Sequence, residues 1–190
     1  MNEKSSFGEL KPVIGTIWVL GDSVNTDLIV PSRVLTEQDE IELLSATLEI
    51  PLPEFSSNVK AGDIIVAGSN FGCGSSREEA VYVLKKLGVG TIVAKSFSRI
   101  FFRNCINLGL PPITLKEDLK ILEEEQDDSA ELKSNLGKRG DKVVVDFQEG
   151  IVKNETTGEN FEFSPFPPFI KSILSLGGLI PYLRRSSKNE

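Results

Sequence analysis

Residues 64–94 constrain the fold more than any other part of the chain. An apolar run, Ile64-Ile65-Val66-Ala67, leads into a loop of small residues, Gly68-Ser69-Asn70-Phe71-Gly72-Cys73-Gly74-Ser75-Ser76. A helical segment, Arg77 to Leu87, and a second apolar run, Thr91-Ile92-Val93-Ala94, follow. Strand, glycine-rich loop, helix, strand is the sequence form of a parallel βαβ unit. Ser75 with Glu78 and Ser76 with Glu79 each fit Ser-x-x-Glu, which predicts a capping box at one of the two serines. Ala80, Val83, Leu84 and Leu87 recur at helical spacing and form one buried face, and Gly88 ends the segment.

A helix N-terminus placed at the end of such a loop turns free N–H groups and the positive end of its dipole outward, and Arg77 adds a full charge. That combination suits an anion. The phosphate-loop string Gly-x-x-x-x-Gly-Lys and the dinucleotide string Gly-x-Gly-x-x-Gly are both absent. An arginine fork takes a carboxylate as readily as a phosphate. The plain alternative is a serine cap beside a solvated arginine, and the glycines before it weigh against that alternative.

Composition narrows the function. A net charge of -7 and the lack of any basic stripe exclude nucleic acid as the expected partner. No apolar run reaches the ~18 residues of a membrane span, and the first residues lack the pattern of a signal peptide, so a cytoplasmic protein is expected. The chain has no histidine, which removes the commonest general base and metal ligand. Its 2 cysteines, Cys73 and Cys105, are too few for an iron–sulfur cluster or a structural zinc site, so no metal is expected on this chain. They read as small packing residues, with Cys73 also placed to line the loop.

Along the chain, residues 1–11 are polar and read as a flexible N-terminus. Val13–Leu20 reads as a strand, and Gly21 to Asp27 supplies turn chemistry in which Asp22, Thr26 and Asp27 fit local hydrogen bonding. Acidic residues through Glu42 suggest an exposed helix or loop, and 45–63 reads as connection. Ser96 is placed to cap a second helix over 97–108, with Phe97, Ile100, Phe101 and Leu108 as its core face. Arg99, Arg103 and Asn104 read as structural or interface residues in preference to substrate contacts. Leu110 to Leu115, with two prolines, reads as an extended edge segment. The charged stretch 116–138 reads as a solvated helix or linker. Residues 142–163 read as a small antiparallel layer, followed by an amphipathic helix from Phe169 to Leu176. Residues 185–190 read as a flexible C-terminus.

Several strings together resemble the swivel domain of the aconitase superfamily, in the stand-alone form found as the small subunit of 3-isopropylmalate dehydratases and their relatives. Gly68 to Glu78 carries the strongest part. Gly21-Asp22-Ser23-Val24-Asn25-Thr26-Asp27-Leu28-Ile29-Val30-Pro31, Ala94 to Asn104 and Gly177-Gly178-Leu179-Ile180-Pro181-Tyr182-Leu183 carry the rest, in the family's order. The resemblance covers 12–184 and implies a single α/β domain of the swivelling type, with a mixed, partly parallel sheet or barrel flanked by helices.

What the resemblance implies for chemistry is specific. The partner is a large subunit carrying a four-iron four-sulfur cluster. The reaction is dehydration and rehydration of a 2-hydroxy di-acid. Ser75 is the base, with Ser76, Arg77 and Arg33 as substrate-binding residues. Thr26, Asp27, Gly72, Cys73 and Gly74 form the rim. Val34, Leu35 and Thr36, followed by Glu37, form the loop that selects the substrate; its apolar, uncharged character favours an alkyl group such as isopropyl. The family commonly has histidine where this chain has Glu79, which places an extra negative charge in the helix. Homoaconitate and methylmalate or dimethylmalate are the rival substrates, and a carboxylate-sensing module without catalysis is the rival class.

Overall fold

The computed structural model describes residues 9–36, 39–126 and 129–187. In chain order the elements are β1 (Val13–Leu20), α1 (Thr26–Ile29), a 3-10 turn (Ser32–Val34), α2 (Glu40–Ser45), α3 (Phe55–Asn58), β2 (Ile64–Ala67), α4 (Glu79–Lys86), β3 (Thr91–Ala94) and α5 (Arg99–Leu108). They continue with β4 (Pro112–Ile113), β5 (Ile121–Gln126), β6 (Ser129–Ser134), β7 (Gly137–Lys138), β8 (Lys142–Asp146), β9 (Ile151–Asn154), β10 (Asn160–Glu162), α6 (Pro168–Ser175) and α7 (Leu179–Ser186).

Seven strands form one mixed sheet in the order β10-β9-β8-β1-β2-β3-β4. β1 to β4 are parallel, and β8 to β10 extend the sheet from β1 as an antiparallel meander. The antiparallel layer expected over 142–163 is this meander. Every residue of β2 and β3 is buried, because a parallel sheet is covered on both faces. Alternation decides which face each side chain joins. Trp18, Leu20, Ile65, Ala67, Ile92 and Ala94 point into the core beneath α4 and α5. Ile17, Val19, Ile64, Val66 and Val93 point into a second core with Leu136, Val143, Val145 and Phe147. The sheet also curls, since an antiparallel bridge between Leu115 and Phe163 brings the chain after β4 against the chain after β10.

One buried acid fixes the start of β2. The Asp63 carboxylate accepts hydrogen bonds from Thr16 N and Oγ1, Trp18 Nε1 and Lys60 N at 2.9–3.0 Å. Burial opposes its charge, and these four donors together hold its carboxyl below the usual range.

Several expectations are corrected. The stretch 116–138 contains β5, β6 and β7, an antiparallel three-stranded sheet, instead of a helix or linker. Leu119, Leu132 and Leu136 pack into the second core, so its charged face hides an apolar one. Helix α4 begins at Glu79 with Glu78 as its N-cap, and neither Ser75 nor Ser76 caps it. Helix α5 is capped by Ser98, whose hydroxyl accepts from Phe101 N, while the Ser96 hydroxyl accepts from Asn70 N. Phe101, Cys105 and Ile106 form the buried face of α5, whereas Ile100 is exposed. The connection at 45–63 holds α3, with Phe55 fully buried. The chain past Gly178 forms α7, which runs to Ser186 and so includes two residues expected to be flexible. Leu10 packs on the second core although it was expected to be loose. The expectations for residues 1–8, Glu37 and 188–190 lie outside the described residues. Among the described residues no helix is long and apolar enough to cross a membrane.

Candidate active site

The carboxyl ends of parallel strands leave a crevice where the following loops gather. Here the loops after β1, β2 and β3 meet and are stitched by backbone hydrogen bonds. Ser23 N donates to Ser69 O at 2.7 Å, Gly72 N to Val24 O at 2.8 Å and Thr26 N to Cys73 O at 2.9 Å. Phe71 N donates to Ser96 O and Ser98 N to Phe71 O, both at 2.9 Å. Two glycines permit this closeness. A Cβ on Gly68 would lie 2.0 Å from Asp22 Oδ1, and one on Gly72 would lie 2.1 Å from Phe101 Cγ. Gly72 also sits at φ +72, a backbone region that L side chains rarely adopt. Two of the turn residues expected to bond locally bond across the loops instead. Asp22 Oδ1 accepts from Ser69 N at 2.6 Å, and Thr26 Oγ1 donates to Ser75 O at 3.1 Å.

A cavity of about 480 Å³ opens over this junction. One wall carries Thr26, Gly72, Gly74, Ser75, Ser76 and Arg77; the other carries Phe97, Ser98, Arg99, Ile100 and Asn104 around the start of α5. Ser75 and Ser76 are exposed. Arg77 is mostly buried, and its guanidinium is held in place. Nη1 lies 2.7 Å from Asp27 Oδ1 and 3.4 Å from Val30 O, and Nη2 lies 3.1 Å from Ser32 Oγ. Ser32 in turn donates to Asp27 Oδ1 at 2.5 Å. The hydrogen bond from Ser32, and then the one from Arg77, hold the Asp27 carboxyl below its usual range. An arginine has five N–H donors, so two remain for a carboxylate.

The structure therefore brings Ser75, Ser76 and Arg77 onto one cavity wall with Thr26, Gly72 and Gly74, and sets Asp27 behind Arg77. Cys73 lies in the same loop, with its thiol directed 3.5 Å from Ser23 O. The remaining expected site residues do not join them. Arg33 pairs with Glu49, at 2.5 Å and 2.6 Å to its two oxygens. Val34 is fully buried in the first core, and Leu35 packs against that core. The Thr36 hydroxyl donates to Arg33 O. None of these four lines the cavity.

Sequence reasoning passed over Ser32, which fixes the Asp27–Arg77 pair, and read Arg99 and Asn104, which line the cavity, as structural or interface residues. The signal for Arg99 and Asn104 was their place just after β3, at the same end of the sheet as the glycine loop.

The donors here do not fit an iron–sulfur cluster, which needs three or four thiolates. Cys105 is buried, with its thiol pushed up by desolvation, and among the described residues no group of His, Cys, Asp and Glu could hold a metal ion.

The fold and this loop junction define an aconitase-type domain, and the family described as Aconitase C-terminal domain matches residues 25–118. The chain is 42% identical to the 3-isopropylmalate dehydratase small subunit of Nautilia profundicola, over 93% of this chain and 96% of that one. It is 41% identical to the 2,3-dimethylmalate dehydratase small subunit of Eubacterium barkeri, over 92% of this chain and 98% of that one. The crystal structure of 3-isopropylmalate dehydratase from Methanocaldococcus jannaschii matches with a TM-score of 0.77 at 36% identity, covering 95% of this chain and 100% of that one. The chain belongs to this family of dehydratase small subunits within the aconitase group.

Proposed function

We propose that this chain is the cytoplasmic small subunit of a heteromeric hydro-lyase that interconverts 2-isopropylmalate and 3-isopropylmalate through 2-isopropylmaleate, a step of leucine biosynthesis. Its partner is a large subunit carrying the four-iron four-sulfur cluster, and this chain supplies none of the cluster's ligands. The observation that carries the reading is the wall formed by Ser75, Ser76 and Arg77, with both hydroxyls exposed and the guanidinium locked by Asp27 and Ser32.

The chemistry of this chain follows from that wall. The Ser75 oxygen, as its anion, takes the proton from the carbon beside a substrate carboxylate. The released electron pair forms the carbon–carbon double bond as the hydroxyl leaves toward the partner side. In between, negative charge builds on the carboxylate, where the two remaining Arg77 donors and the Ser76 hydroxyl meet it. A serine anion is unfavourable in water, so it needs hydrogen-bond donors and positive charge supplied by the residues that line the cavity. Rehydration returns the proton through the same oxygen. The substrate-selecting loop expected at Val34 to Thr36 is partly core, which supports an alkyl group received elsewhere in the cavity. Phe97, Ile100 and Phe101 are the apolar residues on the cavity's second wall.

The similarity to the Eubacterium barkeri protein supports a second reading, in which the substrate is 2,3-dimethylmalate. The test is to reconstitute the chain with a large subunit and assay a panel of 2-isopropylmalate, 2,3-dimethylmalate and homoaconitate. Turnover of 2-isopropylmalate by the pair and none by the lone chain is expected. Ser75→Ala lowers turnover about 10²–10⁴-fold, the range of a general base, without loosening the pair. Isomerisation by the lone chain, or full activity in Ser75→Ala, overturns the assignment.

A further inference from the structure

Arg77, the cation expected to grip the substrate, is largely committed. Three of its five donors are used on Asp27, Val30 and Ser32, and the adjoining Asp27 carboxylate cancels its charge. A di-acid brings two negative charges to this cavity, and the proton-abstracting oxygen adds another. The locked pair offers donors in fixed positions but no net positive charge.

The cavity has one other charged residue. Arg99, on the first turn of α5, lines the second wall together with Asn104. Arg99 is exposed and Asn104 is half-buried. Among the described residues neither side chain makes a hydrogen bond or an ion pair, in contrast to Arg33, Arg77 and Arg139, which each hold an acid. We infer that Arg99, assisted by Asn104, binds the substrate carboxylate from this second wall and supplies the positive charge that the Arg77–Asp27 pair lacks. The inference rests on the di-acid reading above and adds a binding residue to it.

Arg103 provides the control. It lies one turn further along α5, is exposed like Arg99, and lines a neighbouring groove outside this cavity. Arg99 also reaches that groove, so contact with the large subunit is the rival role. The reconstituted pair is assayed with 2-isopropylmalate for Arg99→Ala, Arg99→Lys, Asn104→Ala and Arg103→Ala, with subunit association measured in parallel by sedimentation. Loss of one charged hydrogen bond predicts a KM about 10- to 100-fold higher in Arg99→Ala, with association unchanged. Arg99→Lys, which keeps the charge, recovers part of the loss. Asn104→Ala shows a smaller rise, and Arg103→Ala matches the parent. An unchanged KM in Arg99→Ala, while Ser75→Ala is inactive, overturns the Arg99 assignment alone. So does a loss of activity that only tracks loss of the assembled pair. If the parent pair turns over no di-acid, both the reading and the inference fall.

Discussion

Substituting alanine at Gly72 and at Gly74 separates backbone conformation from packing within one loop. Both residues have positive φ, +72 and +89, so alanine at either costs about 1–2 kcal/mol of conformational strain. Their surroundings differ. A Cβ at Gly74 finds its nearest neighbour, Thr26 Oγ1, at an ordinary 3.5 Å. At Gly72 it would fall 2.1, 2.4 and 2.5 Å from three carbons of Phe101. Phe101 cannot swing aside freely, because it is buried and packs edge-on against Phe71 with ring centroids 5.3 Å apart. Overpacking of that kind adds about 1–3 kcal/mol, so Gly72→Ala should cost about 2–5 kcal/mol in all. For a chain of 190 residues, each kcal/mol lowers Tm by about 2–4 °C. Urea unfolding of the isolated chain, followed by tryptophan fluorescence from Trp18, reads both values. Equal losses at the two positions, or a Gly72→Ala loss below about 1 kcal/mol, would refute the claim that the loop is seated on the Phe101 ring.

Two further outcomes follow from buried groups. Asp63 has a folded-state pKa below its usual 3.8, so its stabilising contribution is complete above that value and is lost as pH falls through the lower folded one. Asp63→Asn should therefore be less stable by about 1–3 kcal/mol near neutral pH, with the gap to the parent narrowing below about pH 4; a gap independent of pH in denaturant titrations would contradict this. Cys105 is buried with its thiol pushed up, whereas Cys73 is partly exposed. Maleimide should label one thiol per native chain, at Cys73, and two only after unfolding, as mass spectrometry of the peptides will read.

The central unit was legible because its signals are local and mutually reinforcing. Two four-residue runs of apolar or β-branched residues flank a glycine loop and a helix with one apolar face, and few other architectures accommodate that order. The start of α4 was misread because Ser-x-x-Glu is only a local rule. Thr26, 49 residues earlier, holds the Ser75 carbonyl, and the chain does not turn helical until Glu79. The two serines of the next loop were exchanged for a similar reason: the Ser96 hydroxyl is taken by Asn70 N, which leaves Ser98 to begin α5. In 116–138 the acids from Glu123 to Asp128 outweigh the leucines in any count of composition. Leu119, Leu132 and Leu136 nevertheless anchor a sheet, through packing partners on β1 and β8 that no short window contains. That Ser75, Ser76 and Arg77 share one loop at the end of β2 could be read directly. Arg33 could not be placed, because its partner Glu49 lies sixteen residues away and meets it only in the fold.

The Leu115–Phe163 bridge bears on how such a chain can join another. Beside it, Lys116 N donates to Glu162 O at 2.8 Å, and the Lys116 ammonium sits 2.7 Å from the Glu162 carboxylate. The two margins of the large sheet thus satisfy one another where they meet. A margin already engaged has no row of open amides and carbonyls on which a foreign strand could zip. Any association at this seam must then rely on side chains and loops.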